Sequence, residues 1–264
     1  GFQSIQSNLN AVVQNSGWEV TLRTVNFNSP NFNWTANFNW SAASNKLLSF
    51  PGLAASTYNQ KYRIGEPLNI NLMYNYIGIN PQTGLYQFED VNKDGRITQP
   101  DDKQTVVNLN PQYFGGIQNQ LVFKRWKLDF LFQFVKQKNK SYYNGYAGQM
   151  SNQPARLQDR WKEAGDDKAV YQLYTAGFNS AAVTADFLFS SSTGSVVDGS
   201  YIRLKNVALS YDLPLNIQNT KCLVFVEGQN LMTFTRYKDG DPEFITAGFL
   251  PPLKILTAGI QLTF

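Results

Sequence analysis

Residues 32–42 read Phe-Asn-Trp-Thr-Ala-Asn-Phe-Asn-Trp-Ser-Ala, with an apolar residue at every second position. An α-helix would scatter such residues around its axis, whereas a β-strand sends them all to one face. The segment is therefore predicted to be a strand with one greasy and one wet face. A half-buried soluble sheet alternates too, but two details point elsewhere. The apolar face carries rings at nearly every position, and the polar face carries neutral Asn33, Thr35, Asn37, Asn39 and Ser41 in place of Lys and Glu. Soluble surfaces favour interspersed charge. A water-filled barrel lumen tolerates neutral polar walls, with aromatics outside at the lipid headgroups. These five residues are expected to line such a lumen.

The same period recurs. Trp126, Leu128, Phe130, Phe132 and Phe134 share a face, opposite Lys127, Asp129 and the further lumen candidate Gln133. Trp18–Thr24, Leu68–Tyr76, Gly116–Phe123, Tyr201–Tyr211, Leu223–Asn230 and Lys254–Phe264 are further strand candidates. Many are about 9–11 residues long, enough for a tilted strand to cross a bilayer. The helix signal is confined to Pro154–Ala164, where Leu157 and Trp161 sit four apart. Ser29–Asn31, Lys124-Arg125 and Leu213–Thr220 are short connections. The stretches 78–111, 137–200 and 233–253 are long, as in barrels with short periplasmic turns and long outer loops. One inconsistency remains. Counting strands back from the end puts Ser29–Asn31 on the long-loop side, so one candidate is not a span or one near Leu85–Phe88 is missed.

Composition excludes much else. Charged residues make up only 16% of the 264, against about 25% in typical soluble domains. Amides fill the gap, at about one residue in six. There is no histidine, which removes Ser-His-Asp and Cys-His catalysis and His-ligated metals. The single cysteine, Cys222, rules out an intrachain disulfide and reads as a small hydrophobe in a strand. No apolar run reaches the length of a transmembrane helix. The net charge of +4 is small and scattered, so nucleic acid is not an expected partner. The chain opens on Gly1 without a leader pattern, which suggests a processed product or a piece of something longer.

Residues 90–101 follow the twelve-residue calcium-loop spacing of EF-hands. Asp90, Asn92 and Asp94 take positions 1, 3 and 5, Gly95 the sharp turn, Arg96 the carbonyl position, Thr98 position 9 and Asp101 the closing carboxylate. Ca2+ is the expected ion if the loop binds metal. The alternative is an Asx-rich turn without metal. Asp241 and Glu243 flank Pro242 and read better as a loop turn than as a glycosidase acid pair. Tyr142, Tyr143 and Tyr146 suit sugar stacking or loop packing. No nucleophile-base or acid pair has a convincing context, so the chain is not expected to be an enzyme.

Residues 200–214, Ser-Tyr-Ile-Arg-Leu-Lys-Asn-Val-Ala-Leu-Ser-Tyr-Asp-Leu-Pro, resemble a signature of the SusC/RagA family of TonB-dependent outer-membrane transporters of Bacteroidetes. Val226–Lys238 with Asp241-Pro242-Glu243, the Asp90–Asp101 loop with Asn110-Pro111, the strands beside Lys124-Arg125, and Arg156–Trp161 match further blocks in family order. Lys93 stands where the family often has Gly. The alternating Ile260, Leu262 and terminal Phe264 resemble the signal by which outer-membrane proteins are recognised for insertion. The resemblance implies an all-β, transmembrane antiparallel β-barrel segment, residues 1–264 supplying about eight to ten strands of a 22-stranded barrel. Long extracellular loops, one short loop helix and a periplasmic C-terminus go with it. The plug, TonB box and signal peptide are expected upstream.

The same resemblance implies uptake of oligosaccharides, or of peptides as in RagA-type members. A SusD-like surface lipoprotein and TonB are the implied partners, with outer-membrane lipid and lipopolysaccharide around the barrel. Neutral amide walls hold hydroxyl or peptide groups without trapping ions, so an uncharged or weakly charged ligand is expected. Two other readings remain open: a small self-closed structural or adhesive barrel, and a secreted β-sandwich that binds carbohydrate and is stapled by the calcium-like loop.

Overall fold

The computed structural model describes residues 9–141, 155–173, 178–215, 220–244 and 250–264. It is built mostly of antiparallel strands with a single α-helix among the described residues. In chain order these are β1 (Val12–Asn28), β2 (Phe32–Ser49), β3 (Ile70–Met73), β4 (Tyr76–Ile79), β5 (Tyr86–Phe88), β6 (Thr105–Asn108), β7 (Tyr113–Phe123) and β8 (Trp126–Lys136). Then follow β9 (Lys138–Lys140), α1 (Ser180–Ser190), β10 (Val196–Asp198), β11 (Tyr201–Leu213), β12 (Lys221–Thr235) and β13 (Ile255–Thr263). Among the described residues no helix is long and apolar enough to cross a membrane, a statement that leaves strands untouched.

Two compact units share the chain. One comprises Asn15–Ser44, Asn110–Lys138 and Asp198–Phe264. It carries an open seven-stranded sheet in the order β1-β2-β7-β8-β11-β12-β13. Alternation makes each strand and pairing of like faces fixes the register, because a one-residue slip would turn every ring to the wet side. Thus Phe32, Phe123, Trp126 and Tyr211 form one cross-strand row. Lys124 takes the left-handed φ of 53° that the two-residue β7–β8 turn requires. A bulge shifts the register after Leu204 against β8 and β12 alike, and Asn230 sits there at φ 52°.

The other unit comprises Gly1–Gln14, Asn45–Leu109 and Asn139–Val197. Within it β3 pairs with β6 and β4 with β5. Its core is aromatic: Tyr86 stacks on Phe189 at 4.1 Å, Tyr76 meets Phe189 edge-on at 5.2 Å, and Tyr74 and Phe88 pack beside them. The helix α1 starts on Asn179, whose side chain caps the Ala182 amide at 3.0 Å, and buries Ala182 and Ala185.

Two expectations are corrected. Leu68–Tyr76 is no member of the long sheet. Only Ile70–Met73 of it is a strand before Tyr76 opens β4, and it pairs with β6. Removing it resolves the strand count: Ser29–Asn31, Lys124-Arg125 and the Leu213–Thr220 link now fall at one end of the antiparallel sheet. The helix expected over Pro154–Ala164 is a short 3-10 turn, Ala155–Asp159. Tertiary contacts win there: the Trp161 amide donates to the Tyr171 carbonyl (2.8 Å), and its indole N–H donates to the Pro81 carbonyl (2.9 Å). The α-helix forms instead at Ser180–Ser190.

Candidate functional site

The seven-stranded sheet presents two chemically distinct faces. Asn33, Thr35, Asn37, Asn39 and Ser41 lie across from Val122, Gln120, Gln118, Gly116 and Phe114 of β7. Gly116 in turn faces Gln133 of β8, so the structure brings all six sequence-identified polar residues to the same face. Asn206, Ser210 and Gln229 extend it across β11 and β12. Two opposite charges on this face compensate each other. Lys127 pairs with Asp129 at 3.1 Å, and the Gln120 amide donates to Asp129 at 3.0 Å.

The opposite face is apolar and banded. At one end Trp126 packs on Tyr211 at 4.5 Å and Phe27 on Phe32 at 5.5 Å. At the other end Trp40, Tyr113, Phe134 and Phe38 form a second belt with centroid distances of 6.2–6.5 Å. Leu121, Ile117, Leu128, Phe130, Phe132, Val207 and Leu209 fill the space between. Phe32 and Trp40 are eight residue steps apart, about 26 Å of strand at 3.3 Å per residue. At a tilt of about 35–45° that projects to about 20 Å, which with the rings at each end is on the scale of the roughly 25 Å apolar band of a membrane barrel. Asn119 intrudes on this face but is satisfied, accepting the Trp34 indole N–H at 2.9 Å. Ile260 and Leu262 alternate on the apolar side of β13, opposite Val224 and the buried Cys222, and Phe264 follows exposed.

A buried cation anchors a loop to the wet face. Arg203 is 1% exposed, and its Nε donates to Thr233 Oγ1 at 3.1 Å. One terminal nitrogen donates to Glu243 at 2.7 Å, and the other to both Asp241 oxygens at 2.6 Å. From the sequence, Asp241 and Glu243 are expected in a turn of an exposed loop. The turn is there, with the Glu243 amide bonded to Asp241 at 2.9 Å, but both carboxylates also neutralise Arg203. A lone Arg in a strand of alternating pattern with an Asp-Pro-Glu loop 38–40 residues on was the available signal.

The 90–101 loop is a run of Asx turns. Asp90 accepts from the Asp94 and Gly95 amides (3.2 and 2.8 Å), Asn92 from Asp94 (3.1 Å), and Asp94 from Arg96 (2.8 Å). Gly95 holds φ 81° at the sharp turn. Asp101 is exposed; the carboxylate that folds back is that of Asp102, 1% exposed, which accepts from Val91 (2.7 Å) and Thr98 (2.8 Å). The side chain of Thr98 makes no described contact with the turn. Burial and the nearby Asp102 charge push the Tyr74 hydroxyl above its ordinary pKa. Among the described residues no three Asp, Glu, Cys or His side chains converge as metal ligands. Asp102→Ala should strand two amides and cost about 1–3 kcal/mol locally, while Asp101→Ala should be near neutral. Limited proteolysis of the loop separates the two. Tyr142, Tyr143 and Tyr146 lie outside the described residues.

No family model matches the chain. Among curated proteins, TonB-dependent receptors P26 and P3 of Formosa agariphila are each 26% identical, over 100% and 96% of this chain. Among solved structures, the RagAB peptide transporter superposes with a TM-score of 0.75 at 25% identity over 96% of the chain. The open-open RagAB peptide importer gives the same TM-score at 23% identity, which speaks for the fold alone. By sequence the chain is similar to TonB-dependent receptors, and by fold to the RagAB transporter. It spans 30% and 29% of the two curated relatives' length. The curated relatives are named as receptors, and the solved neighbours as an importer and a transporter.

Proposed function

We propose that this segment is part of the wall and loops of an outer-membrane nutrient importer driven through TonB, taking up oligosaccharides with a SusD-like surface lipoprotein. The observation that carries this reading is the two-faced sheet. Its aromatic belts are spaced for a bilayer, and its other face is lined by amides and hydroxyls that hydrogen-bond sugar hydroxyls weakly and repeatedly. In this reading the short turns are periplasmic, the long loops extracellular, and outer-membrane lipid and lipopolysaccharide cover the ringed face. A peptide substrate is the second reading, favoured by the likeness to the RagAB peptide transporter. Growth of a deletion strain on a panel of glycans and peptides tests both. Loss of growth on weakly charged oligosaccharides is expected. Loss on peptides alone would choose the second reading, and loss confined to a strict polyanion would contradict the neutral wall.

The reading carries calcium as a staple of the exposed 90–101 loop. Asp90, Asn92 and Asp94 already share one turn and would hold the ion with the Arg96 carbonyl, Thr98 and Asp101. Calcium should then protect the loop from protease. Identical digestion with calcium and with chelator would remove the ion from the account.

A further inference from the structure

In the unit that contains β3 and β6, the segments 53–64 and 99–104 line a half-open cavity of about 700 Å³. That is the size of a small-molecule site. Its charged lining is Lys61, Arg63 and Lys103, with no Asp or Glu among the lining residues. None of the three cations forms an ion pair with a described residue. Lys61 lies over the Tyr62 ring at 5.3 Å and Lys103 over the Tyr74 ring at 5.8 Å. Arg63 donates to the carbonyls of Asn59 and Tyr62 and, at 2.6 Å, to Gln104 Oε1, all neutral acceptors.

The nearest acidic chain neighbours do not line the cavity: Asp102 is spent on the Val91 and Thr98 amides, and Asp101 is exposed to solvent. The positive field is felt beyond the walls: burial, and then the charge of Lys103, hold the Lys140 ammonium below its ordinary pKa. The frame is pre-set by side-chain hydrogen bonds, one between the two segments and one within the second. Gln99 donates to Gln60 at 3.0 Å and Gln104 to the Pro100 carbonyl at 2.6 Å. Pre-setting lowers the ordering cost of binding.

We propose that this cavity binds an oligosaccharide bearing an acidic group, a carboxylate or a sulfate ester, on an otherwise neutral chain. The three cations would take the acid group. The side-chain amides of Asn59, Gln60 and Asn71 and the Tyr62 hydroxyl line the same cavity as partners for sugar hydroxyls, which favours a sugar over a peptide strand. This deepens the importer reading by naming a ligand class and rests on it only for the ligand's source.

The test is binding by the full-length detergent-solubilised importer. The probes are tetrasaccharides carrying one uronate or one sulfate ester, each beside its carboxyl-reduced or desulfated counterpart, together with a glutamate-containing tetrapeptide. The expected result is preference for an acidic sugar over its neutral counterpart. Lys61→Gln/Lys103→Gln should weaken it about tenfold and leave neutral-sugar binding unchanged. These two ammonium groups make no described hydrogen bond to the frame, and heat-modifiable gel migration checks that the variant is folded. The uronate and sulfate arms distinguish the two acid sources. Equal binding of acidic and neutral sugars, an unaffected variant, or preference for the peptide overturns the proposal. Uptake by cells is read separately: binding without uptake sinks the importer reading alone, and uptake of sugars without acid preference sinks this site alone.

Discussion

Arg203→Ala should destabilise the protein by about 3–5 kcal/mol, the cost of breaking a buried ion pair from one side. The variant leaves the Asp241 and Glu243 carboxylates facing a cavity, with side chains only 13% and 30% exposed. It also removes the donor to Thr233. The loop that follows β12 should come free of the wall, so protease should cut near residues 237–244 at lower concentration. Urea unfolding in lipid vesicles measures the global cost. Arg203→Met combined with Asp241→Asn and Glu243→Gln should recover most of it, because the one charge left without its partner is Lys205, 3.7 Å from Glu243 and part-exposed to water. A single variant as stable as the parent would show that the cluster anchors nothing.

The second large effect separates the two faces of the sheet. Phe130 stands midway between the aromatic belts on β8, and Gln120 stands on β7 on the other side of the sheet. Phe130→Arg should cost about 2–4 kcal/mol, as for a cation at the middle of the lipid-facing band. Gln120→Arg should change stability by less than about 0.5 kcal/mol, as an exposed polar substitution; it keeps Asp129 within reach of a donor. Vesicle refolding in urea compares the two. Equal costs would mean that both faces meet the same solvent.

The long strands were legible because two-residue periodicity is a local property. Phe32–Ala42 and Trp126–Phe134 lie inside β2 and β8 and needed only their ends extended. Short elements were not legible. Leu68–Tyr76 alternates as well as a spanning strand does, yet its partner is a four-residue loop strand, a choice made by contacts that its own residues do not encode. The helix Ser180–Ser190 is apolar nearly all round and so lacks a one-sided 3.6 period; only the Asn179 cap marked it. The polar face could be read from Asn33 to Gln133. The Arg203 anchor could not, because it joins side chains 38 and 40 residues apart through a loop. The cavity behind Lys61 and Lys103 was hidden for the same reason: it forms from two segments some forty residues apart.

Cysteine accessibility along β2 separates the polar face of the sheet from the lipid-covered one. In a Cys222→Ala background, single cysteines are placed in turn at residues 33–40 of β2 and exposed to a water-soluble maleimide in isolated outer membranes. Labelling is expected at 33, 35, 37 and 39 and protection at 34, 36, 38 and 40. Labelling of both sets alike would contradict a membrane-barrel wall.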